Sequence, residues 1–166
     1  MRRFLILFCL CVVVVANAAG NEFVSVDFGT SRHDALSIFK ARFGEPNAIE
    51  GDNLVYYDLT INGYYFSKIV FGFESKQTGD YFNEARFFMV APSRPMAVAD
   101  RDTLACDLSR KYSMTYDFEE NGNKFYKGGV APSGIGHLFT LSTHRREGKW
   151  TTELRFGAFH KLIRKQ

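Results

Sequence analysis

The chain has 166 residues, 46% of them apolar, and a formal charge of +3. That is the length of one domain, with enough apolar side chain to build a core without covalent staples. So small a charge is weak for a surface that tracks phosphates, and one cysteine outside the first apolar run excludes a disulfide scaffold.

Residues 1–19 read as an export signal. Arg2 and Arg3 make a basic start, and Phe4 to Val15 is an almost unbroken apolar run. Ala16-Asn17-Ala18 supplies the small residues that a signal peptidase reads, with cleavage after Ala18 or Ala19. The run is short for a membrane anchor. Cys9 and Cys11 sit inside it behind bulky Phe8 and Leu10, unlike a lipoprotein site. Export to the periplasm or the exterior is therefore expected. Removing the signal leaves one domain, 20–166, of about 147 residues, and loss of Arg2 and Arg3 takes the formal charge from +3 to +1. Only Cys106 remains, and a free cysteine is expected to be buried as a small apolar side chain. The stretch from Ser142 to Gln166 is basic, while the rest of the domain is net acidic.

A first helix opens at Thr30-Ser31-Arg32-His33-Asp34. Ser31 is a good N-cap, and Asp34 suits the positive end of the helix. Ala35, Leu36, Phe39 and Phe43 share one face; Gly44 and Pro46 end the helix. The period then changes to two. Val55, Tyr57, Leu59 and Ile61 alternate with Tyr56, Asp58 and Thr60, and Asn62-Gly63 is a strong hairpin signal. The return strand puts Tyr65, Ile69, Phe71 and Phe73 on one face. A loop rich in Ser, Lys, Gly and Asp leads to a third strand with Ala85, Phe87 and Met89 on one side.

The order then recurs after a seam at Ala91-Pro92-Ser93-Arg94-Pro95. Asp100 to Tyr112 reads as a second helix capped by Asp100, with Leu104, Ala105, Leu108 and Tyr112 on its apolar face. Met114, Tyr116 and Phe118 alternate in the next strand. Asn121-Gly122 marks a turn, and Phe125-Tyr126 begins the return. His137 to Thr143 and Trp150 to Phe159 close the chain, joined at Glu147-Gly148. The expected fold is α+β: an antiparallel sheet of about six to eight strands covered by two helices, in two α-β-β-β(-β) halves. Tyr56, Tyr64 and Phe82 are expected as exposed rings on the uncovered face.

Several motifs invite a chemical reading and fail on it. Gly129 and Gly134, in the stretch that runs to His137, have the spacing of a phosphate loop. Ile135 and Gly136 stand where that loop needs Lys and Ser or Thr, and a strand follows where a helix is required. Ser37-Ile38-Phe39-Lys40 matches S-x-x-K, but no S-D-N accompanies it, and Lys127-Gly128-Gly129 is a poor K-T-G. His137 and His144 lie an odd number of residues apart on one strand, hence on opposite faces, and neither H-E-x-x-H nor paired cysteines occur. In "HRREGKWTTELRF", Trp150, Leu154 and Phe156 look like core, with Glu153 and Arg155 on the wet face. No catalytic residue, cofactor, metal or nucleic acid is expected from these patterns.

Two features carry a resemblance. "FGTSRHDALSIFKARFGEP" resembles small outer-membrane assembly lipoproteins of the BamE/SmpA type, and the tandem helix-plus-meander order resembles β-lactamase inhibitor protein folds. "FGEP", "EENG", "GIGHLFT" and "GKWTTELRFG", with the signal, resemble uncharacterised exported proteins of Bacteroidota. The resemblance implies an address and brings no functional residues with it. The expected function is a non-enzymatic interaction module, monomeric or weakly dimeric, with another envelope or secreted protein as its partner. Its candidate surface is the basic hairpin tip Arg145, Arg146 and Lys149 with Gly134 and Gly136 of the glycine loop. The alternative is a small hydrolase or small-ligand binder in which Ser142, His144 or Asp58 converge in a pocket.

Overall fold

The computed structural model describes residues 22–76 and 79–160. The expected export signal and the basic residues Lys161, Arg164 and Lys165 lie outside them.

Helix α1, Arg32–Phe43, starts where its cap places it. Ser31 Oγ accepts the Asp34 N–H at 3.2 Å and donates to Asp34 Oδ2 at 2.7 Å. Gly44, at φ 82°, ends the helix and returns its N–H to Lys40 O. Four strands follow: β1 Ala48–Glu50, β2 Asn53–Ile61, β3 Tyr64–Lys76 and β4 Gly79–Ala91. The second half repeats this with α2 Arg94–Ser109, β5 Met114–Phe118, β6 Lys124–Gly128, β7 Phe139–Arg146 and β8 Lys149–Phe156. The fold is α+β, and the eight strands form one antiparallel sheet in the order β1-β2-β3-β4-β8-β7-β6-β5.

Both helices lie on the same face. Phe39 of α1 stacks on Phe71 of β3 with ring centroids 3.9 Å apart and planes at 5°. Leu104, Ala105 and Leu108 of α2 join the same core, with Phe87, Leu141, Leu154 and Phe156 from the sheet. Arg101, buried on α2, donates to Lys124 O at 2.7 Å and to Asp102, and lies over the Tyr126 ring, which ties α2 to β6. Thr152 Oγ1 donates to Ala97 O at 2.7 Å and ties α2 to β8.

The structure corrects several expectations. Helix α2 begins at Arg94, well before Asp100. Pro95 lies in its first turn, where a missing N–H leaves no helical bond unmade. The loop expected between the second and third strands is mostly hairpin, paired out to Lys76↔Gly79. His137 precedes β7 rather than lying on it, and β8 ends at Phe156. Cys106 is exposed, because it falls between the inward positions Leu104, Ala105 and Leu108.

Tyr56 and Phe82 are buried on the core face and Tyr64 is half-buried against it. Two breaks in the strand alternation place the first two there. Asp58 takes φ 55°, and across it the alternation changes phase: Leu54 and Tyr56 before it, Leu59 and Ile61 after it, enter the same core. On β4, Gly72 pairs with Glu84 but Phe73 pairs with Phe82, so Asn83 is an extra residue that turns Phe82 inward.

Tyr56 Oη donates to Gly44 O at 3.3 Å, which links β2 to the end of α1. Burial first, then the nearby Glu45 carboxylate, pushes this phenol up from 10.0 to about 12. Burial also pushes Tyr64 up to about 12, with its bond to Asp107 adding to the effect. A raised phenol adds stability that is complete below its unfolded pKa and lost as pH climbs through the folded one. Denaturant unfolding should therefore show stability falling between pH 10 and about 12. Tyr56→Phe should lose about 1 kcal/mol at neutral pH from the missing hydrogen bond and then fall less steeply above pH 10. An unchanged alkaline slope in the variant would remove Tyr56 as its source.

Candidate functional site

No described element packs on the face of the sheet opposite the helices. The strand registers lay out its central grid. Val90, Phe88 and Arg86 of β4 stand beside Thr151, Glu153 and Arg155 of β8, which stand beside His144, Ser142 and Thr140 of β7. Outward on the other side, Lys68 and Val70 of β3 face Tyr57 and Val55 of β2. Val55, Val70 and Phe88 form a small apolar cluster of their own, with Ala48 packed against it.

The charges of this face are arranged in depth. Glu153 has a side chain only 7% exposed, and Arg146, 49% exposed, lies 2.6 Å from it. Glu84 is 14% exposed, and Arg155, 45% exposed, lies 2.6 Å from it. Arg86 stands 3.4 Å from Glu84 on the other side. The guanidiniums of Arg146 and Arg86 both lie over the Phe88 ring, at 5.2 and 6.0 Å from its centroid. Carboxylates thus sit low and arginines sit on top, pinned by ion pairs and by a ring beneath. Further out, Lys68 pairs with Glu50 over Tyr57, and Lys127 pairs with Asp117 over Phe125. A planar guanidinium held in place loses little freedom when it receives a second carboxylate.

Ser142 and His144 are two apart on β7 and therefore share this face. Ser142 Oγ and His144 Nε2 are 2.6 Å apart, and His144 Nδ1 is 3.6 Å from Glu119 Oε1 in the turn after β5. Hydroxyl, imidazole and carboxylate are in the order that activates a nucleophile. The surroundings do not extend the chemistry. β7 is an interior strand, so its amide N–H groups lie in the plane of the sheet and do not project over Ser142 as oxyanion donors. Asp58 stands apart from this group, on β2, where it accepts a hydrogen bond from Tyr65.

The expected interaction residues divide into two groups. Arg145, Arg146 and Lys149 are exposed at the β7–β8 hairpin, whose turn is Glu147-Gly148, both at positive φ. Arg145 Nε donates to Gly148 O at 3.4 Å, whereas Arg146 reaches back to Glu153 and belongs to the open face. Gly134 and Gly136 shape the loop before the opposite end of β7: the Gly134 N–H bonds Ala131 O at 2.8 Å, and Gly136 O accepts from Ala131 at 3.2 Å. The loop leads into β7, not a helix, and holds Ile135 84% exposed at its tip. These groups do not form one patch. Sequence reasoning missed Glu84, Arg86, Phe88, Glu119 and Lys68, which it never singled out, and set Arg155 and Glu153 on a wet face without their partners.

Two clefts lie away from the grid. One, of about 260 Å³, is floored by Phe23, Leu104, Leu108 and Tyr112, with Arg110 and Lys111 at its rim. The other, of about 370 Å³, lies between the glycine loop and Gly157 to His160. Ser142 and His144 line neither. Among the described residues no group of three or more His, Cys, Asp or Glu is arranged to hold a metal ion, and no helix is long and apolar enough to cross a membrane.

Arg146→Ala should lower stability by about 1–3 kcal/mol, because Glu153 keeps its burial and loses its cation. Arg146→Met with Glu153→Leu should recover most of that loss, since the pair's desolvation is removed with it. Urea unfolding of the two variants measures both; equal losses in the single and double variants would mean that the pair is not the unit.

Comparison of the chain with protein-family models, with curated proteins and with solved structures finds no match.

Proposed function

We propose that the chain is an exported, non-enzymatic binding module that holds another envelope or secreted protein on the uncovered face of its sheet. The observation that carries this reading is the set of arginines pinned over the buried Glu153 and the little-exposed Glu84 around Phe88, on a face that no described element covers. Fixed arginines beside aromatic rings are the side chains that concentrate binding energy in protein interfaces. The basic run, apolar run and small-residue site of residues 1–19 support export.

The Ser142–His144–Glu119 chain favours one second reading, a small hydrolase. A serine-directed phosphonate that labels Ser142, with loss of labelling in His144→Ala, would support it. The in-plane amides of β7 weigh against it.

Tagged chain from Gly20 onward, carrying Cys106→Ser, should capture a stoichiometric protein from native envelope extract. Arg155→Ala and Tyr57→Ala should each weaken capture about 10-fold or more if they are central contacts. Arg145→Ala, which faces away from the grid, should change it by less than about 3-fold. Recovery of the bait alone, or capture indifferent to Arg155 and Tyr57, would overturn the reading.

A further inference from the structure

The sheet ends on β5, and this edge is unlike the other. β1 is a short strand, Ala48–Glu50, while β5 runs Met114–Phe118 and is exposed from Thr115 to Phe118. The hydrogen bonds at its ends fix which residues face outward. The Gly129 N–H bonds Ser113 O at 3.0 Å, and the Glu119 N–H bonds Asn123 O at 2.9 Å. Ser113 and Glu119 therefore face the chain of β6, and by the alternation of an antiparallel ladder so do Thr115 and Asp117. Met114, Tyr116 and Phe118 direct their backbone N–H and C=O groups away from the sheet.

Two of these outward positions carry exposed rings. Tyr116 is 60% and Phe118 59% exposed on the helix side, with centroids 5.9 Å apart at 86°. The Lys124 ammonium lies over the Tyr116 ring at 4.4 Å and still leaves it mostly exposed. A strand with outward donors and acceptors and an apolar strip beside them is a template for another strand.

We infer that a second copy of this chain pairs on β5, antiparallel, across a twofold axis at Tyr116. The register follows from charge and from the ladder. Only Met114, Tyr116 and Phe118 can exchange bonds outward, so the axis must fall where these positions oppose one another. Centred on Tyr116, all three form rungs: Tyr116 faces its own copy and Met114 faces Phe118. Thr115 then stands opposite Asp117 on the other face. Centred on Asp117, that carboxylate would directly oppose its own copy, and like charges across a rung are unfavourable. Centred on Thr115, Phe118 would fall opposite Tyr112, beyond the strand. The Tyr116 register keeps every rung and opposes no like charges. It also closes: two β5 edges consume each other, whereas β5 on β1 of the next copy would propagate without end.

The edge is partly blunted. Asp117 Oδ1 accepts the Phe118 N–H at 2.9 Å, and Lys127 holds the other oxygen at 3.3 Å. That bond occupies a donor the dimer needs, so the association is weak and Asp117 limits it.

Sedimentation equilibrium tests this on the chain from Gly20 onward, which holds every described residue, in a Cys106→Ser background that excludes disulfide dimers. The expected result is reversible dimerisation with Kd of about 10 µM to 1 mM. Tyr116→Pro, which removes the central rung's N–H, should be monomeric with an unchanged circular dichroism spectrum. Asp117→Thr, which frees the Phe118 N–H and restores a good strand former, should dimerise about 3- to 10-fold more tightly. If Tyr116→Pro fails to fold, amide exchange in the parent chain decides: Met114 and Tyr116 should exchange more slowly as concentration rises. A monomer at about 1 mM, a dimer that survives Tyr116→Pro, or exchange at these amides independent of concentration would overturn the inference.

Discussion

The pairing of β4 with β8 is the constraint on which the rest of the structure depends. Among the described residues, the ladder from Ala85↔Phe156 to Ala91↔Trp150 is the one that joins the two halves of the sheet. Each half alone would be a helix on a four-stranded sheet with a long open edge. Joined, they bury Phe87, Leu154 and Phe156 at the centre of a single core. Phe23 then packs over the seam, 5.8 Å from Phe87 and 6.4 Å from Phe156 between ring centroids. The segment that carries it is held from both halves: Arg42 of α1 donates to Glu22 O at 3.0 Å, and Lys111 beyond α2 pairs with the Glu22 side chain. Close packing at Gly157 adds a further tie, since a Cβ there would lie 2.3 Å from Asn83 O.

Because both helices take the same side, the other face has to satisfy its own side chains. It does so by ion pairing rather than by a second apolar layer. Phe88 lies under the guanidiniums of Arg86 and Arg146, and it clusters with Val55 and Val70, against which Ala48 packs. Exposed ion pairs contribute little to stability. Here one partner of each central pair is nearly out of water, so the arrangement fixes side-chain geometry more than it strengthens the fold. Fixed geometry on an uncovered face is what the proposed binding role would use.

Local signals made much of this fold legible. Ser31, Gly44, Asn62-Gly63 and Glu147-Gly148 act within a few residues, and the structure uses each as the sequence implies. The failures come where one residue changes the phase of a strand. Nothing about Asp58 or Asn83 announces that the alternation breaks there, because the break is set by which rings fit under α1. Phe82 is needed against Phe39, at 5.3 Å between centroids, and the extra residue at Asn83 delivers it. The start of α2 was hidden for another reason: Pro95 reads as a breaker unless the helix is known to begin before it. The site was least legible of all. Arg86, Phe88, Glu153 and Arg155 meet through cross-strand registers, and alternation within one strand gives a face but never a neighbour.

The two loops singled out from composition stand at opposite ends of β7, an eight-residue strand that spans about 27 Å at the usual rise. A small ligand cannot touch both. A protein partner that touched Arg146 at one end and the Ile135 tip at the other would have to lie along β7. Between those ends it would meet Ser142 and Thr140 on β7 with Glu153 and Arg155 beside them on β8. Arg146 and the glycine loop thus stand at the two ends of the open-face residues of β7, while Arg145 alternates to the helix side. The half-exposed arginines of that face, pinned over their carboxylates, are where a partner's acidic or aromatic side chains would find the least freedom left to lose.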